Sequence, residues 1–203
     1  MDFYNTIETA GSAEFKERGS KFLAFAYPIQ NENSFKRILQ ALKKEHPKAA
    51  HHCFAYRLGF DGNNFRMGDD GEPAGTAGKP LLGQIDSKNL TNILVLVVRY
   101  FGGTLLGIPG LTAAYKTSAS LVLQCTPAIQ KSIEIDYTIE FDYNLMNEVM
   151  QILKQNKCTI IENETQLFCK IKAGIPKKKL AQVLNAFQDL QKIEFEPANK
   201  TNG

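Results

Sequence analysis

Long apolar runs are missing from this 203-residue chain. A membrane-spanning helix needs about 20 consecutive apolar residues. The longest clean run, Ile93 to Val98, has only the length of a strand. The start, Met1-Asp2-Phe3-Tyr4-Asn5, shows no basic stretch followed by an apolar core, so no secretory signal is read and the cytoplasm is the expected compartment. Internal repeats and low-complexity tracts are absent too, which excludes solenoids and fibrous arrays. Cysteines are few, at 53, 125, 158 and 169, and none forms a Cys-x-x-Cys pair. That spacing suits reduced core thiols, not a zinc or dithiol motif. No cofactor or metal is expected.

Strong net charge is also lacking. The formal value is +3, but Lys and Arg outnumber Asp and Glu by 15 to 11 over residues 1–132, whereas the counts are 9 and 10 over 133–203. The basic excess belongs to the first two thirds, which makes that part the candidate for a polyanion partner. With 43% hydrophobic and 22% charged residues the chain has an ordinary globular mix.

Periodicity divides it in two, near Ser132. From Ile133 to Asp142 apolar and polar residues alternate, as in a half-buried strand. A helix capped by Asn144 follows, with Leu145, Val149, Ile152 and Leu153 on one face. Strands over Thr159–Glu162 and Leu167–Ala173, a helix opening at Pro176, and a strand with Ile193 and Phe195 complete a β-α-β-β-α-β order. This is the order of a ferredoxin-like sheet with two helices on one face. Its open face would carry Glu134, Asp136, Glu140, Asp142, Glu194 and Glu196 with Lys170 and Lys172. Such a face repels phosphates, and reads as a solvated surface or as a contact for a protein.

The first 132 residues read as α+β. Strands are expected over Phe3–Ile7 and Lys21–Ile29, with Gly19-Ser20 as a turn or bulge, and over His51–Gly59 and Asn92–Tyr100. Helices are expected after a cap at Asn33 or Ser34, over Thr76–Ser87, and over Leu111–Gln124, with Pro127 ending the unit. In the first helix Lys36, Arg37, Lys43 and Lys44 face outward.

Three segments exceed what packing requires. Gly68 to Pro80 holds four glycines and two prolines and runs into a helix. Free amides near Ala77, Gly78 and Lys79, at the helix start marked by Thr76 and with the Lys79 side chain beside them, would suit an anion, unless Thr76 merely caps the helix. In Arg99 to Gly110, Arg99, Tyr100, Gly102 and Gly103 end a buried strand. Lys116 lies in the next helix, but Tyr115 precedes Lys116-Thr117, so the P-loop pattern fails. Arg99 and Tyr100 can contact phosphates and bases, or Arg99 can be tied to Asp69 or Asp70. In His51-His52-Cys53 adjacent residues point to opposite faces, so the two histidines cannot share a metal undistorted. One of them with Asp69, Asp70 or Glu72 would give a metal or acid-base site if the loop folds back, the alternative being a hydrogen-bonded structural histidine.

These residues carry a resemblance. His51-His52-Cys53-Phe54-Ala55-Tyr56-Arg57, Asp69-Asp70-Gly71-Glu72-Pro73-Ala74-Gly75-Thr76-Ala77-Gly78-Lys79-Pro80 and Arg99-Tyr100-Phe101-Gly102-Gly103, with Leu106-Gly107, resemble the Impact/YigZ family. The trailing domain resembles the extra domain of its bacterial members. The resemblance implies an N-terminal domain like the second domain of ribosomal protein S five, a C-terminal ferredoxin-like domain like domain five of elongation factor G, and a role around translation. Eukaryotic members restrain the starvation-responsive initiation-factor kinase through a partner bound by an RWD region. These 203 residues show no counterpart to that region, so the partner is not carried over. Two positions depart from the family pattern, Pro109 in place of a glycine and Ala113 in place of an arginine. The expectation is a non-enzymatic regulatory protein whose N-terminal domain binds RNA, the ribosome or another polyanion. The alternatives are an enzyme for a small phosphorylated or acyl substrate, using His51 or His52 with Asp69, Asp70 and Glu72, and a protein-binding adaptor.

Overall fold

A computed structural model describes residues 1–165 and 168–198. The chain has a mixed α+β fold and divides into two units, Tyr4–Lys131 and a second formed by Met1–Phe3 with the chain from Ser132 onward.

The first unit is built on a five-stranded antiparallel sheet of order β2-β3-β6-β4-β5, comprising β2 (Gly11–Glu17), β3 (Ser20–Pro28), β4 (His51–Leu58), β5 (Asn64–Gly68) and β6 (Ile93–Tyr100). Central β6 is buried from Ile93 to Arg99 because both of its faces are covered, which is why it reads as a continuous apolar run. On one face α2 (Gly78–Ser87) and α3 (Gly107–Cys125) pack Leu81, Ile85, Tyr115, Ala119 and Val122 against Phe22, Cys53, Val95 and Val97. On the other, α1 (Glu32–Glu45) packs Phe35 and Leu42 against Tyr56, Leu94, Leu96 and Val98. A separate pair joins β1 (Phe3–Ile7) to β7 (Ala128–Ser132).

Three of these strands differ from expectation. Strand β2 precedes the Arg18-Gly19 turn and carries Glu14 and Lys16 on a sheet edge, so its apolar signal is weak. Strand β5 lies on the opposite edge, and β7 follows Pro127. The cap of α1 is Asn31, whose Oδ1 accepts from Ser34 N at 2.9 Å, not Asn33 or Ser34.

The second unit has a four-stranded sheet of order β11-β8-β10-β9, formed by β8 (Glu134–Asp142), β9 (Thr159–Thr165), β10 (Phe168–Pro176) and β11 (Ile193–Pro197), antiparallel throughout. Helices α4 (Met146–Gln155) and α5 (Leu180–Gln188) bury Val149, Leu153, Val183 and Phe187 against Ile139, Phe141, Ile171 and Ile175. The β-α-β-β-α-β order is as read from the sequence. Asn144 instead lies in a short 3-10 turn, and Pro176 ends β10, a second 3-10 turn intervening before α5. Leu167, read as the start of the third strand, lies outside the described residues.

Candidate functional site

Strand β4 begins beside the loop from Gly68 to Ala77, and that loop does fold back on the histidines. His51 Nδ1 lies 2.9 Å from Asp70 O, and Asp70 Oδ2 accepts from His52 N at 2.7 Å. The contact brings His51, His52, Asp69, Asp70 and Glu72 together, as an acid-base or metal site would need. Each carboxylate, however, has another partner.

Asp69 turns onto the start of α2, accepting from Gly75 N at 2.9 Å, Ala77 N at 3.0 Å and Gly78 N at 2.8 Å. Partial burial alone would raise its pKa. The three amide bonds outweigh that and hold it below the ordinary carboxylate range. Two of the amides expected to receive an external anion, those of Ala77 and Gly78, are therefore already capped. Thr76 is not the cap either: its hydroxyl donates to Pro73 O at 2.7 Å, and the side chain is buried. Gly78 fits for a different reason, because a Cβ there would sit 2.9 Å from Gly68 N, where the two ends of the motif meet. Asp70 accepts from Lys43 Nζ at 3.0 Å as well as from His52 N. Its pKa is lowered against the opposing effect of burial by these donors.

Glu72 is only 3% exposed at its side chain, and Arg99 only 6%. Glu72 Oε1 accepts from Arg99 Nη1 and from Tyr115 Oη, both at 2.7 Å, and lies 3.8 Å from His51 Nε2. Arg99 Nη2 donates to Ser20 Oγ at 3.3 Å, and its guanidinium lies over the Phe22 and Phe101 rings at 5.5 and 5.8 Å. Cys53 Sγ donates to Asp69 O at 3.0 Å and sits 3.3 Å from Tyr115 Oη; burial pushes the thiol up to about 12 and raises the Tyr115 hydroxyl as well. Here the sequence expectation is corrected twice. Arg99 is tied to a carboxylate, Glu72 and not Asp69 or Asp70, and is too buried to meet a polyanion. Tyr100 is half-buried, with its hydroxyl 2.9 Å from His46 Nδ1. Sequence reasoning missed Ser20, Cys53 and Tyr115 as members of this network. They lie 16 to 79 positions from their partners, beyond any local motif.

Gly102 is engaged within the fold and not free to cradle a phosphate, whereas the space around Gly103 is open. A Cβ on Gly102 would overlap the Gly19 backbone, where the β2-β3 turn crosses the end of β6, and Ser20 Oγ accepts from Gly102 N at 3.2 Å. His52 points to the α1 side, where burial pushes its pKa down despite the opposing Asp70 charge. Among the described residues, no group of three His, Cys, Asp or Glu side chains is arranged to hold a metal ion, and no helix is long and apolar enough to cross a membrane.

Of the expected cations, Lys79 and Lys116 remain exposed. Within the first unit a further exposed basic group lies elsewhere, on α1 and its end: Lys36, Arg37, Lys43, Lys44 and Lys48. Lys43 alone among them is paired to an acid within ion-pair distance among the described residues. Pro109 and Ala113, the two departures from the family pattern, line a groove of about 450 Å³ with Phe15, Glu17, Arg18 and Leu106.

A family model described as the Impact N-terminal domain matches residues 18–123. The chain is 33% identical over 165 residues to the "IMPACT family member YigZ" of Escherichia coli (strain K12), covering 80% of this chain and 81% of that one. It is 31% identical over 159 residues to "IMPACT family member YvyE" of Bacillus subtilis (strain 168), covering 78% and 73%. A crystal structure titled only as that of a hypothetical protein superposes with a TM-score of 0.76 at 28% identity, covering 98% of this chain and 99% of the other.

Proposed function

The chain belongs to the Impact family, and from that premise we propose that it is a translation-associated regulatory protein that works by binding, with RNA or the ribosome contacted through the exposed face of α1. The observation that carries this reading is the division of labour among the charged groups of the first unit. Asp69, Asp70, Glu72 and Arg99 hold the fold together. Lys36, Arg37, Lys44 and Lys48 have no such task and face solvent. Lys36 and Lys44 are eight residues apart on one helix face, about 12 Å along the axis. That spacing matches neither one phosphate nor a buried pair, but it suits contacts along a nucleic-acid backbone, where affinity comes from cations near phosphates. The competing enzymatic reading is disfavoured because its carboxylates Asp69, Asp70 and Glu72 are already engaged with amides, Lys43 and Arg99.

Co-sedimentation with ribosomal particles at low salt tests the proposal. The full chain is expected in the pellet, and Lys36→Glu/Lys44→Glu in the supernatant. A chain that stays in the supernatant at low salt, or a variant that pellets as well as the parent, overturns it.

A further inference from the structure

The helix-free face of the second unit's sheet carries an unusual charge arrangement. By register, its residues are Asp136, Thr138, Glu140 and Asp142 on β8, Lys170 and Lys172 on β10, Glu162 and Glu164 on β9, and Glu194 and Glu196 on edge strand β11. The lysines pair with Glu140 at 2.7 Å and Glu162 at 3.7 Å. Toward β11 no such compensation exists: among the described residues, Asp136, Asp142, Glu194 and Glu196 have no cation within ion-pair distance. Glu194 stands directly opposite Glu140 across the β8-β11 pair, a like-charge pairing that destabilises a sheet. Two depressions share these two residues. One, of about 300 Å³, adds Thr138, Phe195 and Glu196. The other, of about 470 Å³, adds Phe141, Asp142, Lys192 and Phe168, whose ring is 69% exposed; Lys192 lines it but makes no ion pair with these carboxylates among the described residues.

We propose that this half of the sheet face docks a lysine- and arginine-rich protein segment in extended conformation, lying along β8 and β11. Charge complementarity selects the occupant, since carboxylates outnumber lysines on this half of the face and, among the described residues, Asp136, Asp142, Glu194 and Glu196 have no cation within ion-pair distance, Glu140 alone being shared with Lys170. Geometry selects its conformation. Same-face residues of a strand repeat about every 7 Å, and an extended peptide repeats its alternate side chains at the same interval. Basic residues at every second position would therefore meet Asp136, Glu140 and Asp142 in turn, with Glu194 and Glu196 flanking them. Phe168 offers its ring to the aliphatic stem or the guanidinium of one of them. The inference is independent of the α1 reading, which concerns the other unit.

The test measures anisotropy of a fluorescein-labelled ten-residue peptide of alternating Arg and Ser, titrated with the full chain at 50 mM salt. The comparison probes are the same composition with its five Arg contiguous, and a 20-nucleotide oligouridylate. Glu194→Gln/Glu196→Gln is expected to weaken the alternating peptide about tenfold, the effect of two exposed ion pairs. The same variant should melt at an equal or higher temperature, because it removes a like-charge contact, so loss of fold cannot imitate loss of binding. The alternating peptide should also bind more tightly than the blocked one. Absence of peptide binding, unchanged affinity in the variant, equal affinity for the two peptides, or oligouridylate binding abolished by the same variant would each overturn the proposal.

Discussion

Truncating Glu72 to alanine removes the acceptor shared by Arg99 Nη1 and Tyr115 Oη, each 2.7 Å away, from a site where both ionised side chains are at most 6% exposed. Arg99 would keep only a 3.3 Å contact to Ser20 Oγ and its two ring neighbours, while its Nε already lacks a hydrogen-bond partner. Leaving one buried charge without its partner costs about 3–5 kcal/mol, whereas an apolar pair of similar volume is close to neutral. For a unit of about 130 residues a loss near 4 kcal/mol lowers the melting temperature by about 15 °C. Glu72→Ala and Arg99→Ala should both show a loss of this size in the first unit's transition, followed by far-UV circular dichroism in urea. Arg99→Met/Glu72→Met should recover most of it, and Arg99→Ala/Glu72→Ala should lose less than the sum of the single variants, giving a coupling energy of about 2 kcal/mol or more in the double-mutant cycle. A loss under about 1 kcal/mol for Glu72→Ala, or additive effects in the cycle, would refute the view that this pair holds the motif loop onto the sheet.

Asp69→Ala should cost about 2 kcal/mol, toward the upper end for a helix cap because three amides lose their acceptor, and Asp69→Asn should recover part of it in the same urea titration. Because the Asp69 and Asp70 pKa values are held below their unfolded values, the stability they confer is present above about pH 4 and is lost as the pH falls through the folded values. The acid limb of a stability–pH curve should flatten in Asp69→Asn. Gly102→Ala should be among the most damaging single-methyl changes in the chain, by about 3 kcal/mol or more, because a Cβ meets the Gly19 backbone and not a movable side chain. Under native conditions at pH 8 a thiol reagent should label exposed Cys125 rapidly and leave Cys53 unlabelled, since burial pushes that thiol to about 12. Rapid labelling that persists in Cys125→Ser would contradict this.

Much of the fold could be read from periodicity. The strict alternation from Ile133, the buried run at Ile93 to Val98 and the amphipathic α1 each fix an element by local pattern. Strands β2 and β5 escaped because both are sheet edges, where charged or exposed side chains replace the apolar half of the alternation. The site was legible as a set of residues but not as a set of roles. Glycines, carboxylates and an arginine around a strand end suit an anion cradle and an internal clamp equally well in one dimension. The clamp depends on Asp69 reaching the helix nine residues ahead, Glu72 reaching Arg99 27 residues away, and Gly102 meeting Gly19 across 83 positions of chain. Such pairings exist only once the sheet is assembled.

The central claim is that the first unit's motif residues form a scaffold and that α1 presents the binding surface. It is tested most directly by the slope of log affinity against log salt for a single-stranded RNA, measured for the parent chain, Lys36→Ala/Lys44→Ala and Lys79→Ala/Lys116→Ala. The slope should shrink by about 1.4 in the α1 variant, two phosphate contacts at about 0.7 each, and stay unchanged in the other. A slope that shrinks only in Lys79→Ala/Lys116→Ala would contradict the account and return the interface to the motif loops.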